Sequence, residues 1–161
     1  MGHYDTAQVC LNGHKITSMY DSAPELGSGH CSKCGAATII ACPACGARIK
    51  GEYRVEGVVS LGPDFPPSPY CDGCGKPYPW TESAIKAARD LADDLEELTP
   101  QEREQLKQSL DDLVADTPRT GLAVVRFKKL VAKAEQAAAL SMKQILVSVA
   151  TEAAKKLIWP S

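Results

Sequence analysis

The spacing of the cysteines constrains this chain more than any other feature. All seven precede residue 75. With one histidine they read Cys10-Leu-Asn-Gly-His14, Cys31-Ser-Lys-Cys34-Gly35, Cys42-Pro-Ala-Cys45-Gly46 and Cys71-Asp-Gly-Cys74-Gly75. Three of the four are Cys-x-x-Cys-Gly. That spacing closes a tight turn whose backbone N–H groups point at the thiolates, and the trailing glycine permits the positive φ such a turn needs. The fourth is Cys-x-x-x-His, with Gly13 supplying the turn. A lone Cys-x-x-Cys equally suits a redox site. Free thiols give no reason for the repeated spacing. Seven cysteines and one histidine make eight ligands, which fill two tetrahedral metal sites with none left over.

Sequential pairing joins Cys10, His14, Cys31 and Cys34 in one site, and Cys42, Cys45, Cys71 and Cys74 in the other. A cross-braced alternative joins the first pair to the third and the second to the fourth. The sequential arrangement is favoured because it closes shorter loops. His14 is the favoured histidine: His30 adjoins Cys31 too closely to share its ion, and His3 lies near the terminus. Thiolates with one imidazole, in sites without an open position, suit zinc. Two zinc ions per chain are therefore expected. Iron is the alternative at the second site, where the two knuckles, with Phe65 and Pro66 before the last, resemble a rubredoxin. That resemblance lacks the aromatic-rich core that shields such an iron.

The first 80 residues hold few large aliphatics, and a segment of that size needs staples. Disulfides would leave one of seven cysteines unpaired. The chain opens Met-Gly-His-Tyr-Asp, without a basic n-region or an apolar h-region, so no secretory signal and a cytoplasmic location are expected. Close cysteine pairs in such a compartment indicate metal or redox chemistry. After Trp80 the composition turns rich in Ala, Leu, Glu and Lys, and Gly121 is the only glycine. The expected fold is small α+β: tandem zinc ribbons, short β-hairpins on knuckles, over 1–80, then a helical bundle or hairpin over 81–161.

Short strands are expected at 37–40 and 48–53, with partial alternation over 53–61. Residues 62–69, Gly-Pro-Asp-Phe-Pro-Pro-Ser-Pro, form a stiff connector. Thr81 is a candidate cap for a helix running to about Leu98, with Ala84, Ala88, Leu91, Leu95 and Leu98 on one face. Thr99-Pro-Gln-Glu102 reads as a capping box with proline at the first helical position. A third helix is expected from Asp116-Thr-Pro118, with Leu122, Val125 and Leu130 inward. Ile145, Val149, Ala153 and Leu157 give the last stretch its face. No Gly or Pro separates Leu122 from Trp159, so this stretch reads as one long helix or as two that break near Ser141.

The net formal charge is −2, which gives no global basic field for nucleic acid. Its distribution is uneven. Residues 82–116 carry eleven acids against four bases, a net of −7. Residues 117–161 carry eight bases against two acids, a net of +6. Facing helices that pair these blocks are one reading, and a basic C-terminal surface left free for an anionic partner is the other. Metallation would bring the first 80 residues from −1 to about −4, two thiolate-rich zinc sites adding −2 and −1. That disfavours phosphate binding there. No uncharged run approaches the roughly twenty residues that span a bilayer. Lys155-Lys-Leu-Ile-Trp159 still allows a peripheral contact with anionic lipid.

The opening Gly2-His-Tyr-Asp5, the Cys10–His14 turn, the three knuckles, Gly75-Lys-Pro-Tyr-Pro-Trp80 and Asp116-Thr-Pro-Arg-Thr120 together resemble a family of bacterial proteins of about this length, described only as a domain of unknown function. The resemblance covers the whole chain and implies a bacterial cytosolic zinc-ribbon protein whose metal-binding cysteines match those named above. It implies no activity. Three functional classes remain: a protein-interaction or self-association module, a nucleic-acid-binding accessory protein using the basic C-terminal helices, and an enzyme. The first is favoured because closed zinc sites contribute folding and not chemistry. An enzyme is not expected, because no catalytic constellation or Gly-rich phosphate loop stands outside the ligands.

Overall fold

The computed structural model describes residues 1–60, 64 and 66–160. The expected connector lies partly outside these residues, and Phe65 lies wholly outside them. The chain divides into two compact units, Met1–Trp80 and Thr81–Ser161. Among the described residues the architecture is small α+β, with short antiparallel strands first and five α-helices after them.

Among its described residues the first unit holds five strands: β1 (His3–Thr6), β2 (Gln8–Cys10), β3 (Lys15–Thr17), β4 (Thr38–Ile39) and β5 (Lys50–Arg54). β1 pairs antiparallel with β5, setting Tyr4 opposite Tyr53. β2 is the centre of a three-stranded sheet between β3 and β4. β4 and β5 fall within or one residue beyond the expected strand segments. The alternation over 53–61 does not continue as a strand: beyond Arg54 the chain turns at Gly57, and Val58 and Val59 are exposed. His3, near the terminus, is the first residue of β1. The core of this unit is small, comprising Ala7, Val9, Ile49, Tyr78, Trp80 and the buried Cys10, Cys31, Cys42 and Cys71. Half of the candidate ligands are therefore also core residues, as expected where metal substitutes for apolar bulk.

A buried carboxylate braces the entry to this core. Asp5, 3% exposed, accepts hydrogen bonds from the backbone N–H of Thr6 at 2.7 Å and of Asp21 at 2.9 Å, and from the Ser22 hydroxyl. It ties β1 to the turn after β3. Burial raises its carboxyl pKa, but the donors from Ser22, Asp21 and Thr6 outweigh this and hold it below the ordinary carboxylate value.

The helices are α1 (Pro79–Asp93), whose first two residues end the first unit, and, within the second, α2 (Pro100–Leu113), α3 (Thr120–Val131), α4 (Gln136–Leu146) and α5 (Glu152–Ile158). α1 begins before Thr81, at Pro79, a residue whose fixed φ suits a first turn. Thr81 is thus a buried helical residue and not the cap. α2 starts as expected. The Thr99 hydroxyl accepts from Glu102 N–H, and the Glu102 carboxylate accepts from Thr99 N–H. Leu106, Leu110 and Leu113 are fully buried.

Beyond α2 the expected faces and breaks need correction. On α3 the buried residues are Ala123, Val124, Phe127 and Leu130, whereas Leu122 and Val125 are 46% and 64% exposed. In the last stretch Leu146, Val149, Ala150, Ala154 and Ile158 are buried, whereas Ala153 and Leu157 face outward. The expected stripe is shifted by one residue over most of its length. The chain breaks at 132–135 and 147–151, and Ser141 lies inside α4. Tertiary partners hold the first break: Lys133 forms an ion pair with Glu102, and Glu97 accepts from Glu135 N–H at 2.9 Å. At the second, Thr151 donates to the Leu113 carbonyl at 3.0 Å and caps α5 through its hydroxyl, which accepts from Ala154 N–H.

Candidate metal centres

Each knuckle is built by the same local hydrogen bonds. Cys31 N–H donates to the Ala36 carbonyl and Gly35 N–H to the Cys31 carbonyl, both at 2.8 Å. Cys42 with Ala47 and Gly46, and Cys71 with Lys76 and Gly75, repeat this pattern at 2.8–2.9 Å. Gly35, Gly46 and Gly75 have φ of 75°, 78° and 75°, a region that residues with a Cβ avoid. Isolated strand bridges flank every knuckle at the same seven-residue offset: His30 with Ala37, Ala41 with Arg48, Tyr70 with Pro77. The Cys10–His14 turn is a variant in which Cys10 ends β2 and Gly13, φ 90°, turns the chain toward β3. Backbone N–H groups point at the sulfurs here too. His14 N–H lies 3.3 Å from Cys10 Sγ, Lys33 N–H 3.4 Å from Cys31 Sγ, and Gly73 N–H 3.3 Å from Cys71 Sγ.

The fold brings the eight side chains together as two groups of four: Cys10, His14, Cys31 and Cys34, then Cys42, Cys45, Cys71 and Cys74. The pairing is sequential. In the first group His14 Nδ1 lies 3.5 Å from both Cys10 Sγ and Cys31 Sγ, and Cys10 Sγ lies 3.7 Å from Cys34 Sγ. In the second, Cys42 Sγ is 3.8 Å from Cys74 Sγ, and Cys45 Sγ is 3.6 Å from Cys71 Sγ.

These separations can be compared with the geometry of a metal. Four zinc–sulfur bonds of about 2.3 Å at the tetrahedral angle set the sulfurs about 3.8 Å apart. A zinc–nitrogen bond of about 2.0–2.1 Å sets nitrogen about 3.5–3.6 Å from each sulfur. The observed edges match both figures. A disulfide requires about 2.05 Å, and all seven cysteines are free. The donor set fits, and these eight side chains can hold two metal ions. Cys10, Cys31, Cys42 and Cys71 are buried, while Cys34, Cys45 and Cys74 are exposed, so each group presents one side to solvent.

Thiols this close compete for protons. The Cys34 thiol is pulled down to about 6, first by the Ala36 N–H and then by the Asn12 side chain, whose Nδ2 donates to Cys34 Sγ at 3.3 Å. Cys71 is lowered to about 6, chiefly by the Cys74 N–H. Burial raises Cys10. The Ala47 N–H lowers Cys45, but desolvation and hydrogen bonds to Cys71, Cys74 and Cys42 outweigh it and push the thiol up to about 12. A bound cation would remove this competition by replacing shared protons with one divalent charge.

Two residues around the sites were not singled out from the sequence. Asn12, inside the Cys10–His14 turn, supports Cys34. Tyr78, 2% exposed, stacks on Trp80 with ring centroids 4.5 Å apart, and burial first and the neighbouring Cys71 second raise its phenol pKa. Asn12 was findable as the polar residue of a ligand turn. Tyr78 was not, because its contact with Cys71 depends on how the chain folds back after the last knuckle.

Among the described residues no helix is long and apolar enough to cross a membrane. A family model described as "Uncharacterized protein conserved in bacteria (DUF2321)" matches residues 3–158. No curated protein and no solved structure matches the chain.

Proposed function

The chain belongs to that bacterial family, and from this premise we propose that it is a two-zinc protein whose metals are structural and whose role is to present surfaces to a partner protein or to a second copy in the bacterial cytosol. The observation that carries the metal reading is that the ligand atoms of each group all lie within 4.8 Å of one another, with five edges at 3.5–3.8 Å as tetrahedral zinc geometry requires. Each site has four protein ligands and so keeps no open position for water or substrate. That supports folding as the role of the metal and speaks against catalysis at it. The three-cysteine, one-histidine set suits zinc. The four-cysteine set also suits iron, which is the second reading for that site.

Native mass spectrometry of untagged protein purified without chelator, with an absorption spectrum beside it, tests the proposal. Two zinc ions per chain and no visible band support it. One iron per chain with visible absorption replaces it with an electron-transfer reading at the second site. Metal-free protein with paired thiols overturns it. The same spectrum reports whether the chain is monomeric or self-associated.

A further inference from the structure

The helical unit is divided in its surface chemistry. Along α1 and α2 no large apolar side chain is exposed among the described residues, and the segment 82–116 is strongly acidic. The exposed large apolar side chains of this unit all lie on or beside the last three helices. They are Leu122 at 46%, Val125 at 64%, Leu140 at 55%, Val147 at 43% and Leu157 at 54% exposure. Neither α3 nor α4 contains an acidic residue.

Cations share these apolar faces. On α3, Leu122, Val125, Arg126 and Lys129 fall at i, i+3, i+4 and i+7, which sets them on one outward stripe opposite Ala123, Phe127 and Leu130. On α4, Leu140 and Lys143 fall at i and i+3, with the C-cap Val147 at i+7, opposite Met142 and Leu146. α5 adds exposed Lys156 and Leu157. The three helices meet at Trp159. Its ring lies 6.3 Å from that of Phe127, Lys143 Nζ stands 5.7 Å from its centroid, and Lys128 Nζ donates to the adjoining Leu157 carbonyl at 3.3 Å. The other basic residues of this region use their charge within the fold: Arg119 pairs with Asp112, Lys133 with Glu102, and Lys155 with Glu152. Arg126, Lys129, Lys143 and Lys156 have no carboxylate partner among the described residues.

We propose that the outward stripe of α3 docks on an anionic phospholipid surface, Arg126 and Lys129 meeting the headgroups and Leu122 and Val125 entering the boundary below them. Charge complementarity selects an anionic occupant. The aliphatic residues interleaved with the cations select lipid over nucleic acid, because a phosphate backbone offers nothing to Leu or Val, whereas the headgroup–acyl boundary accepts both. The acidic residues are carried mainly by α1 and α2, and α2 packs on the buried side of α3.

The test is co-sedimentation of the full, metal-loaded chain with vesicles of phosphatidylglycerol and phosphatidylcholine, against pure phosphatidylcholine and a DNA duplex at equal phosphate. Binding at least tenfold tighter to the mixed vesicles than to either control is expected. Two variants at exposed positions, Arg126→Gln with Lys129→Gln and Leu122→Ser with Val125→Ser, should each weaken it several-fold while helicity and melting stay at the wild-type values. Equal binding to neutral vesicles, no vesicle binding at low salt, or DNA binding as tight as vesicle binding would each overturn the proposal. So would a serine variant that binds as wild type, since the contact would then be charge alone.

Discussion

Trp80 packs against Gly13 so closely that a methyl on the glycine would stand 3.0 Å from Trp80 Cβ and 3.2 Å from Cγ of its indole. Gly13 turns the chain between Cys10 and His14, and Trp80 is stacked on Tyr78, which lies beside Cys71. One aromatic pair thus supports a ligand turn of the first site and a ligand of the second. Gly13→Ala combines a left-handed φ with this steric conflict. Gly35→Ala has a similar φ but open space around it. Strain alone costs about 1–3 kcal/mol, so both variants should bind zinc more weakly at the first site. Gly13→Ala should be the weaker binder in a chelator competition. Equal losses would show that the indole yields without cost.

Removal of metal should unfold one unit and spare the other. The Met1–Trp80 unit has a small core that includes four of its own candidate ligands, and structural zinc supplies on the order of 10 kcal/mol per site. The Thr81–Ser161 unit buries leucines on α2 and α3 without any ligand. A strong chelator should therefore abolish amide protection in β1–β5 while most helical ellipticity remains. Loss of helix in step with metal would show that the helical unit depends on the first.

Metal affinity should rise with pH. Cys45, held up at about 12, keeps its proton through the neutral range, and zinc binds only the thiolate. Binding at the second site must therefore release at least that proton. Its apparent affinity should rise about tenfold per unit between pH 7 and 9 for each proton released. Cys34 and Cys71, at about 6, are already ionised there and contribute only as pH falls toward and below that value. A flat profile from pH 7 to 9 would show that Cys45 is not the proton donor.

Asp5 should matter more than a surface acid. Replacing it with Ala leaves the Thr6 and Asp21 N–H groups without their buried acceptor, at a cost of about 1–3 kcal/mol. Asp5→Asn keeps one acceptor oxygen and should lose less. The carboxyl is held below its ordinary value of 3.8, so its contribution is complete above that pH and is lost as pH falls through the lower, folded value. Thermal melts of the metal-loaded wild type and both variants at neutral pH would show the first effect, and the narrowing of the gap between wild type and Asp5→Asn below pH 3.8, measured without metal in both, would show the second. A melt of Asp5→Ala indistinguishable from wild type would remove the residue from the framework.

Some of this architecture was decided within a few residues of chain, and the sequence alone determined it. A knuckle depends on two thiols three residues apart and a glycine that tolerates positive φ, so the ligand turns could be read directly, as could Thr99 with Glu102 at the start of α2. Tertiary structure decided what depends on distant partners. Residues 145–158 carry two apolar stripes one position apart, and nothing local chooses between them. Packing in the helical bundle selected Leu146, Ala154 and Ile158 and turned Leu157 outward. The chain from 122 to 159 has no Gly or Pro to stop a helix. Its breaks are held by Glu97, Glu102 and the Leu113 carbonyl, contacts that exist only once α2 is in place. β1 became a strand because β5 pairs with it from nearly fifty residues away, and Tyr78 reached Cys71 because the last knuckle folds the chain back. Sequence fixes turns and caps because their energies are local, and packing fixes faces, breaks and strand partners because theirs are not.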